Sequence, residues 1–294
     1  MNNISQCKII TPLAGRPISV SARRFNLCAV ALALVGATNA LADTPGRVVS
    51  INLCTDELAL LLAAPGQILS VSKLSADPAY DVDVPDGVAI NGGMAEEVHA
   101  LSPDLILAGA YSGGATVDML KRLGHPVEVF QPAASLNDIR ANLRQMGGLL
   151  GRAGAAETVI AQFDADLAAL QDNGPRPRAA LWFANGYAPG PATLAGQILD
   201  AAGYANIAVE AGISGTGFLS LEELVLLDPD VIVTGQSYPG SSRAEDIMRH
   251  PVVAALNGTK SAPVTDRDWV CGTPRILRAV KSLRAARLSS EGRG

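Results

Sequence analysis

Apolar residues along the chain recur in two patterns, one with the spacing of a helix and one of short unbroken runs. The two patterns follow each other in a sequence unit that occurs twice. Residues 95–109 read AEEVHALSPDLILAG and residues 221–235 read LEELVLLDPDVIVTG, and the two copies align without a gap. Each copy predicts a helix that ends at Ser102 or Asp228, because proline disfavours helix at the residue before it. The apolar run that follows has the length of a strand buried on both faces of a parallel sheet.

A helix–strand unit duplicated over such a distance predicts an α/β fold of two similar lobes, each with a central, mostly parallel sheet. A chance similarity is the alternative, since joints between helices and strands often look alike. Patterning and turn residues predict further strands at residues 47–52, 67–72, 127–130, 179–183 and 261–265. They predict helices at residues 58–64, 116–123, 135–150, 154–171, 193–202, 242–248 and 274–288, the first with Thr55-Asp56 at its N-cap.

The long amphipathic helix at residues 154–171 ends at a stiff Pro-rich segment before the second half of the chain begins. We interpret it as a connector between the lobes, the alternative being an ordinary surface helix of a single domain. The predicted organisation is a leader at 1–42, an N-terminal lobe at 43–152, a connector helix at 153–173 and a C-terminal lobe at 174–294. Loops at the carboxyl ends of the strands would line a ligand cleft between the lobes.

Residues 1–42 have the features of an export signal. They contain four basic residues and no acid, followed by an apolar run from Leu27 to Ala37 and small residues ahead of Asp43, where a signal peptidase would cut. A membrane anchor is the alternative, but the apolar run is too short to span a bilayer as a stable helix. Cys28 lacks the preceding small residues of a lipidation site, so we expect an exported, non-lipidated protein.

The charge balance narrows the choice of partners. The chain has 23 basic and 28 acidic residues, and removing the four basic residues of 1–42 leaves a net charge of −9. Nucleic acids and anionic membrane surfaces bind basic surfaces, so neither is expected as a partner. No stretch after residue 42 is long and apolar enough to insert into a membrane.

Sequence signatures of enzymes are missing: there is no phosphate-binding loop, no dinucleotide fingerprint and no H-E-x-x-H. His99, His125 and His250 have no second His or Cys at metal-ligand spacing, which favours structural or surface roles. An exported two-lobe enzyme such as a hydrolase is one alternative, although no Ser or Cys on the predicted cleft loops has a convincing His partner. A direct receptor for zinc or manganese ions is another, and would need three or four converging His, Asp or Glu ligands.

Several segments together resemble one family. They are RVVSIN and TDEL at the start of the first lobe, the two repeat copies, the connector helix, TLAGQILDAAGYANI and DRDWVCGTPRILRAV. Their order and spacing, from Arg47 to Leu288, resemble the periplasmic binding proteins that serve ABC importers of iron–siderophores, haem and cobalamin. The resemblance implies two α/β lobes joined by one rigid helix, with the ligand held between them.

The resemblance also implies a docking site for a membrane permease. In the family, one glutamate on each lobe pairs with arginines of the permease, and counting back from each proline of the repeat places these glutamates at Glu96 and Glu222. The alternative is that both residues only favour the helix dipole from the first turn. That smaller role is the one expected of their neighbours Glu97 and Glu223.

The match to the cobalamin-binding members is partial. Asp268-Trp269 matches an aspartate and a tryptophan that contact the ligand in those proteins, but Gly272 stands where an arginine would follow. The predicted cleft loops carry aromatic and polar residues and few cations, which favours a neutral or weakly charged chelate. The predicted ligand-binding residues are Cys54, Lys73, Tyr111, Tyr187, Phe218, Gln236, Tyr238, Asp268, Trp269 and Cys271.

Cys54 and Cys271 are the two cysteines that remain after residue 42, and both fall at the predicted cleft. Three interpretations stay open at this point. The pair is two unrelated buried thiols, a disulfide across the cleft, or two thiolates that touch the metal of the ligand.

These features predict a periplasmic substrate-binding protein of an ABC importer. Its ligand is expected to be a metal chelate, with an iron–siderophore as the first candidate and cobalamin or another corrinoid as the second. The protein is expected to be no enzyme, to hold no cofactor or directly bound metal of its own, and to act as a monomer. Its expected partners are the small chelate and the ABC permease.

Overall fold

Two parallel sheets form the framework of the protein, which a computed structural model describes at residues 44–235, 243–257, 261–264 and 266–291. The first, sheet A, has the strand order β3-β2-β1-β4-β5 and is parallel throughout. Its strands are β1 (Val48–Ser50), β2 (Ile68–Ser72), β3 (Ala89–Asn91), β4 (Leu105–Gly109) and β5 (Val127–Phe130). The predicted leader at 1–42 lies outside the described residues.

The second, sheet B, is formed by the later half of the chain and is also parallel, with the order β11-β10-β6-β8. A short antiparallel pair, β7 with β9, accompanies it. The strands are β6 (Arg178–Leu181), β7 (Tyr187–Pro189), β8 (Ala205–Asn206), β9 (Thr216–Phe218), β10 (Val231–Gly235) and β11 (Ser261–Val264). The prediction of two similar lobes with parallel sheets is confirmed.

Helices connect most of the parallel strands, since parallel pairing needs a long crossover connection. They are α1 (Leu53–Leu62), α2 (Ala95–Ala100), α3 (Gly114–Arg122), α4 (Leu136–Leu149), α5 (Ala153–Leu170), α6 (Leu194–Ala201), α7 (Leu221–Leu227), α8 (Arg243–Asp246), α9 (Pro251–Asn257) and α10 (Ile276–Glu291). Among the helices of the described ranges, none has the length and apolarity that a bilayer span needs.

The repeated sequence unit corresponds to a repeated structure. β4 and β10 each pair with the first strand of their own sheet on one side and with its last strand on the other. Ser102 and Asp228, which follow helices α2 and α7, both have a left-handed backbone, with φ of 46° and 43°. Two copies that share pairing position and backbone conformation are a structural duplication, so the chance-similarity alternative is wrong.

An arginine completes the unit in each lobe. Arg47 donates to the carbonyls of Leu101 and Ser102 at 2.5 and 3.0 Å. Arg178 donates to the carbonyls that follow α7 at the same positions, at 2.7 and 2.8 Å. These carbonyls have no partner within their helix, because helix ends leave them free. Each arginine therefore caps the helix of the repeat from the start of a neighbouring strand.

The hydrophobic core extends from one sheet to the other. Residues of β1, β4, β6 and β10 belong to one buried cluster together with side chains of α4, α5 and α10. Leu143, Phe163 and Leu283, one from each of these helices, are almost fully buried. The helix predicted as the connector corresponds to α5, which follows sheet A in the chain, precedes sheet B and packs against α4 and α10.

Some local predictions were wrong. The first helix begins at Leu53, earlier than predicted, because the Asn52 side chain accepts hydrogen bonds from the backbone of Cys54 and Thr55 and is the N-cap. Thr55 and Asp56 therefore lie inside the helix. The short strands β3, β7 and β9 and the helix α9 were not predicted, and the helix predicted at 242–248 is a short α8 followed by a 3-10 helix, Ile247–Arg249.

Candidate ligand-binding cavity

A cavity of about 740 Å³ opens at the carboxyl end of sheet A, between β1 and β4. In open α/β sheets ligands bind where the strand order reverses, and in sheet A this point lies between these two strands. Asn52, two residues after β1, and Gly109, the last residue of β4, both line the cavity. A Cβ at Gly109 would lie 2.8 Å from the Asn52 side chain, so glycine is required for this approach.

The other wall of the cavity comes from the lobe of sheet B. Thr193 lies in this wall, and its hydroxyl donates to the Gly190 carbonyl at 2.7 Å and accepts from the Gly196 amide at 3.0 Å. It is the N-cap of α6, so its side chain is fixed by local structure. Thr216 of β9 and Tyr187 of β7 line the same wall.

Aromatic rings follow one another along this wall. Phe183 meets Trp269 edge to face, with ring centroids 5.7 Å apart, and lies 6.1 Å from Tyr187. Tyr187 in turn meets Phe218 at 6.1 Å. On the side of sheet A, Tyr111 follows β4 with 89% of its surface exposed at the cavity. An exposed aromatic ring beside a cavity offers a large apolar contact to a ligand at little entropic cost.

The described part of the cavity lining is uncharged. None of the lining residues that the structure describes is Asp, Glu, Lys, Arg or His. Its polar groups are amides and hydroxyls, supplied by residues such as Asn52, Asn142, Thr193 and Thr216. Such a surface offers hydrogen bonds and aromatic contact to a ligand, but no ionic partner and no ordinary general base.

Cys54 and Cys271 form a disulfide, with Cα atoms 5.1 Å apart. Of the three interpretations left open by the sequence, the structure shows the cross-cleft bridge. Unrelated thiols and a thiolate pair on a metal are both inconsistent with it, since the sulfur atoms are bonded to each other. Cys54 lines the cavity, whereas Cys271 is 2% exposed.

The predicted ligand-binding residues therefore fall into three groups. Those that line the cavity are Cys54, Tyr111, Tyr187 and Trp269. Those described but not in the lining are Lys73, Phe218, Asp268 and Cys271. Lys73 is exposed at the start of a 3-10 helix, while Phe218 and Cys271 contact lining residues through the Tyr187 ring and the bridge to Cys54. Gln236 and Tyr238 lie outside the described residues.

Sequence reasoning missed Asn52, Asn142, Thr193 and Gln131 as lining residues. The capping patterns at Asn52 and Thr193 are visible in the sequence, but they indicate helix starts rather than a cavity. Only the meeting of the lobes shows that both helix starts face the same space.

Two buried carboxylates lie behind the lining, side by side in α1. Asp56 accepts from the Ser72 amide, the Ser72 hydroxyl and the Ser75 hydroxyl at 2.5–3.0 Å. Burial nevertheless raises the pKa of the Asp56 carboxyl, because these hydrogen bonds only partly offset the lost hydration. Burial also raises the pKa of Glu57, against the opposing effects of Thr273 and Arg275.

Glu57 joins the lobes. Its carboxylate accepts from the Thr273 hydroxyl at 2.9 Å and from the Arg275 guanidinium at 3.1 Å. Arg275 also donates to the Tyr80 carbonyl at 2.7 Å. This buried contact lies beside the disulfide, so α1 is tied to the segment before α10 in two ways.

The predicted docking residues Glu96 and Glu222 occupy matching sites, in the first turns of α2 and α7. Both are exposed, and the structure records no hydrogen bond or ion pair for either carboxylate among the described residues. Their neighbours have local roles, since Glu97 accepts from the Gly92 amide and Glu223 completes a capping box with Ser220. The repeat thus presents, on each lobe, one exposed carboxylate without a recorded partner among the described residues.

His99 and His125, far apart in sequence, meet with ring nitrogens 2.7 Å apart on the surface of the first lobe. The spacing of histidines in the sequence did not predict this pair. Within the described ranges, no group of three or more His, Cys, Asp or Glu side chains is arranged to hold a metal ion.

A family model described as periplasmic binding protein matches residues 48–266, which include both sheets and most of the residues that line the cavity. The chain belongs to this family. The family is one of substrate-binding proteins, and the resemblance inferred from the sequence is confirmed.

Curated relatives of this periplasmic binding protein include a cobalamin-binding protein of Halobacterium salinarum, 30% identical over 76% of this chain and 64% of the relative. The chain thus spans 64% of the length of the first relatives it matches. A vitamin B12-binding protein of Pectobacterium carotovorum is 27% identical over 81% of this chain and 87% of the relative.

Solved structures share the fold of this periplasmic binding protein. A possible iron-binding periplasmic protein of Staphylococcus epidermidis superposes with a TM-score of 0.67 at 20% identity, covering 83% of this chain and 98% of that chain. A vitamin B12-binding protein of Vibrio cholerae superposes with a TM-score of 0.58 at 18% identity, covering 83% and 96%. At these identities the likeness shows the fold alone.

Proposed function

We propose that this protein is the substrate-binding component of an ABC importer, which captures a neutral metal chelate in the periplasm and delivers it to a membrane permease. The observation that carries the proposal is the aromatic and amide-lined cavity at the carboxyl end of sheet A, whose described lining residues are uncharged. Pockets of this kind select ligands by shape and apolar contact, with a few polar groups fixing the orientation.

The lining also favours one class of chelate. Haem carries two carboxylates and many ferric siderophores carry a net negative charge, and a desolvated anion needs a cationic partner that the described lining lacks. A corrinoid presents a broad macrocycle fringed with neutral amides, which match the Asn and Thr side chains and the aromatic rings. Cobalamin-binding and vitamin B12-binding relatives support this choice. We therefore place a corrinoid first and a neutral ferric hydroxamate second, reversing the order expected from the sequence.

We propose no enzymatic activity and no direct binding of a metal ion. The described lining holds no histidine, carboxylate or amine to act as a general base, and its cysteine is in a disulfide. In this proposal α5 is the connector between the lobes, and Glu96 and Glu222 face the permease. Residues 1–42 direct export and are removed.

Isothermal titration calorimetry of the purified protein with three probes tests this function. The probes are cyanocobalamin, a neutral ferric trihydroxamate and haem. We expect saturable binding of cyanocobalamin, weaker or no binding of the hydroxamate, and no specific binding of haem. Preferential binding of haem would contradict the neutral-ligand proposal, and failure of all three to bind would contradict chelate capture.

A further inference from the structure

The disulfide lies in the wall of the cavity and joins the two lobes. Cys54 is in the first turn of α1, next to sheet A, and Cys271 precedes α10 in the other lobe, 217 positions later. Cys54, Val270 and Gly272 all line the cavity, so the bridge is attached to main chain that forms its surface. A covalent bond at this position fixes the local distance between the lobes.

Non-covalent contacts hold the same segment as well. Glu57 lies one turn after Cys54 on α1, and it holds Thr273 and Arg275 by the buried hydrogen bonds given above. Gly272 is in contact with the loop after β5, where an added Cβ would collide with Ala133. The segment from Cys271 to Arg275 is therefore fixed by the bridge at one end and by Glu57 at the other.

Trp269 stands just beyond the bridged end of this segment. Its ring is partly buried, lines the cavity and packs edge to face on Phe183. Val270 alone separates Trp269 from Cys271, and its carbonyl oxygen lies 3.9 Å from the Cys54 sulfur. The disulfide is thus a covalent constraint two residues from Trp269.

We propose that the Cys54–Cys271 disulfide is a positioning element for the ligand, and that it links ligand affinity to its own redox state by holding Trp269 in the cavity wall. The inference rests on the proposed function, because it takes the cavity to be the ligand site. A dithiol reductant would pass two electrons to the S–S bond. Two protonated cysteine thiols form, and the dithiol becomes its own disulfide.

Thermodynamic linkage makes the effect reciprocal. If reduction weakens ligand binding by some factor, bound ligand must favour the oxidised bridge by the same factor. A tenfold difference in affinity corresponds to about 30 mV in the reduction potential of a two-electron couple. Bound ligand also covers Cys54 from the cavity side, where a reductant would attack, so reduction should become slower.

The first test measures cyanocobalamin affinity of the oxidised protein, the reduced protein and the Cys54→Ser/Cys271→Ser variant, with circular dichroism as the check on folding. Both forms without the bridge should bind at least about tenfold more weakly while keeping the fold, a change of about 1.4 kcal/mol. Equal affinity in a folded, reduced protein would overturn the inference. So would unfolding of both forms, since the bridge would then act only on stability.

A second variant distinguishes an effect through the position of Trp269 from a general loosening of the contact between the lobes. In Trp269→Ala, reduction should cause little further loss of affinity, because the residue through which the bridge acts is gone. An undiminished loss would show that the bridge acts elsewhere. The reduction potential should also become more negative when cyanocobalamin is added to the unaltered protein, and an unchanged potential would contradict the linkage.

A measurement without ligand keeps the inference testable if the function is wrong. The chain has two tryptophans, so Trp182→Phe leaves Trp269 as the sole fluorescent indole. Acrylamide should quench this indole more strongly after reduction of the bridge. If no probe binds the oxidised protein but quenching still rises, the proposed function fails and the positioning role stands; unchanged quenching overturns the positioning role itself.

Discussion

Asp56 and Glu57 are neighbours in α1, yet their surroundings differ. Glu57 has a cationic partner in Arg275, whereas the recorded partners of Asp56 are neutral hydroxyls and an amide. An ionised carboxylate without a cation is costly to bury, and the raised pKa of Asp56 reflects that cost. The protonation of one residue should therefore be visible in the stability of the protein.

We expect Asp56→Asn to become more stable relative to the unaltered protein as the pH rises. A raised pKa means that the folded state favours protonated Asp56, so its stabilising effect is complete below the ordinary pKa of 3.8 and is lost as pH rises through the folded pKa. Asparagine keeps the size and an acceptor oxygen but does not ionise. Urea unfolding at about pH 4 and about pH 7 measures the difference.

Asp81→Asn is the matched control for this prediction. Arg278 lowers the pKa of Asp81, so its contribution is present above the ordinary pKa and is lost as pH falls through the folded pKa. The two variants should thus show opposite trends with pH, and because the change for Asp81→Asn lies below the ordinary pKa of 3.8, unfolding is also measured at about pH 3. A difference between Asp56→Asn and the unaltered protein that stays constant with pH would contradict the assignment.

The aromatic residues of the cavity give a second residue-scale prediction. Tyr111→Ala and Trp269→Ala should each weaken cyanocobalamin binding at least about tenfold, since aromatic anchors commonly carry 1–3 kcal/mol of binding free energy. Leu226→Ala is the control, because this side chain is 84% exposed on α7 and does not line the cavity. Normal binding by both aromatic variants would place the ligand elsewhere.

At the scale of elements, the packing of α4 against α5 depends on a glycine. A Cβ at Gly147 would lie 2.5 Å from the Cβ of Ala156 in α5, closer than real side chains approach. Gly148, the next residue of the same helix, is exposed and has open space around its Cα. The two glycines therefore differ in tertiary contact but hardly in local structure.

Gly147→Ala should destabilise the protein by about 1–3 kcal/mol through overpacking. Gly148→Ala should instead stabilise it slightly, by up to about 1 kcal/mol, because alanine favours helix over glycine. Urea unfolding of both variants at neutral pH makes the comparison. Equal effects of the two substitutions would show that α4 and α5 are not in close contact in solution.

At the scale of the whole molecule, one buried cluster joins both sheets through α4, α5 and α10. The disulfide and the Glu57–Arg275 pair reinforce the same junction. Separating the lobes widely would expose this core, which has a large free-energy cost. We therefore expect the cavity to be largely formed before ligand arrives, and transport to depend on surfaces outside it.

In the proposed function, the surface that docks to the permease carries Glu96 and Glu222. The double variant Glu96→Ala/Glu222→Ala should bind cyanocobalamin normally but fail to support its uptake, since each lost interfacial ion pair costs a few kcal/mol if desolvated. Calorimetry measures the binding, and uptake of labelled cyanocobalamin by cells that depend on this receptor measures the transport.

Glu97→Ala/Glu223→Ala is the matched control, because these neighbouring carboxylates make local hydrogen bonds in the same helical turns. It should retain uptake. A large loss of ligand affinity in the Glu96/Glu222 variant would move these residues into the ligand site. Equal loss of uptake in both variants would remove the distinction between the two glutamates of each pair.

The sequence by itself determined the two-lobe α/β fold. Helical spacing, apolar runs and proline positions are local signals, and they sufficed for the repeat, for α5 and for β5, which spans residues 127–130 as predicted. Short strands such as β3 and β9 were not predicted, because three residues are too few to show a pattern of apolar positions and their pairing partners lie far along the chain. The family followed from the order of the longer segments.

The tertiary structure alone decided how the cavity is built. Which strand ends lie side by side decides three contacts of the cavity. They are the Cys54–Cys271 bridge, the Glu57–Arg275 pair and the close approach of Asn52 to Gly109. The tertiary structure also decided the charge of the cavity. Lys73 lies outside the lining, and the described lining is neutral although the chain is acidic. Local patterns fix the elements because helices and strands form from near neighbours, whereas a binding surface joins residues that only packing brings together.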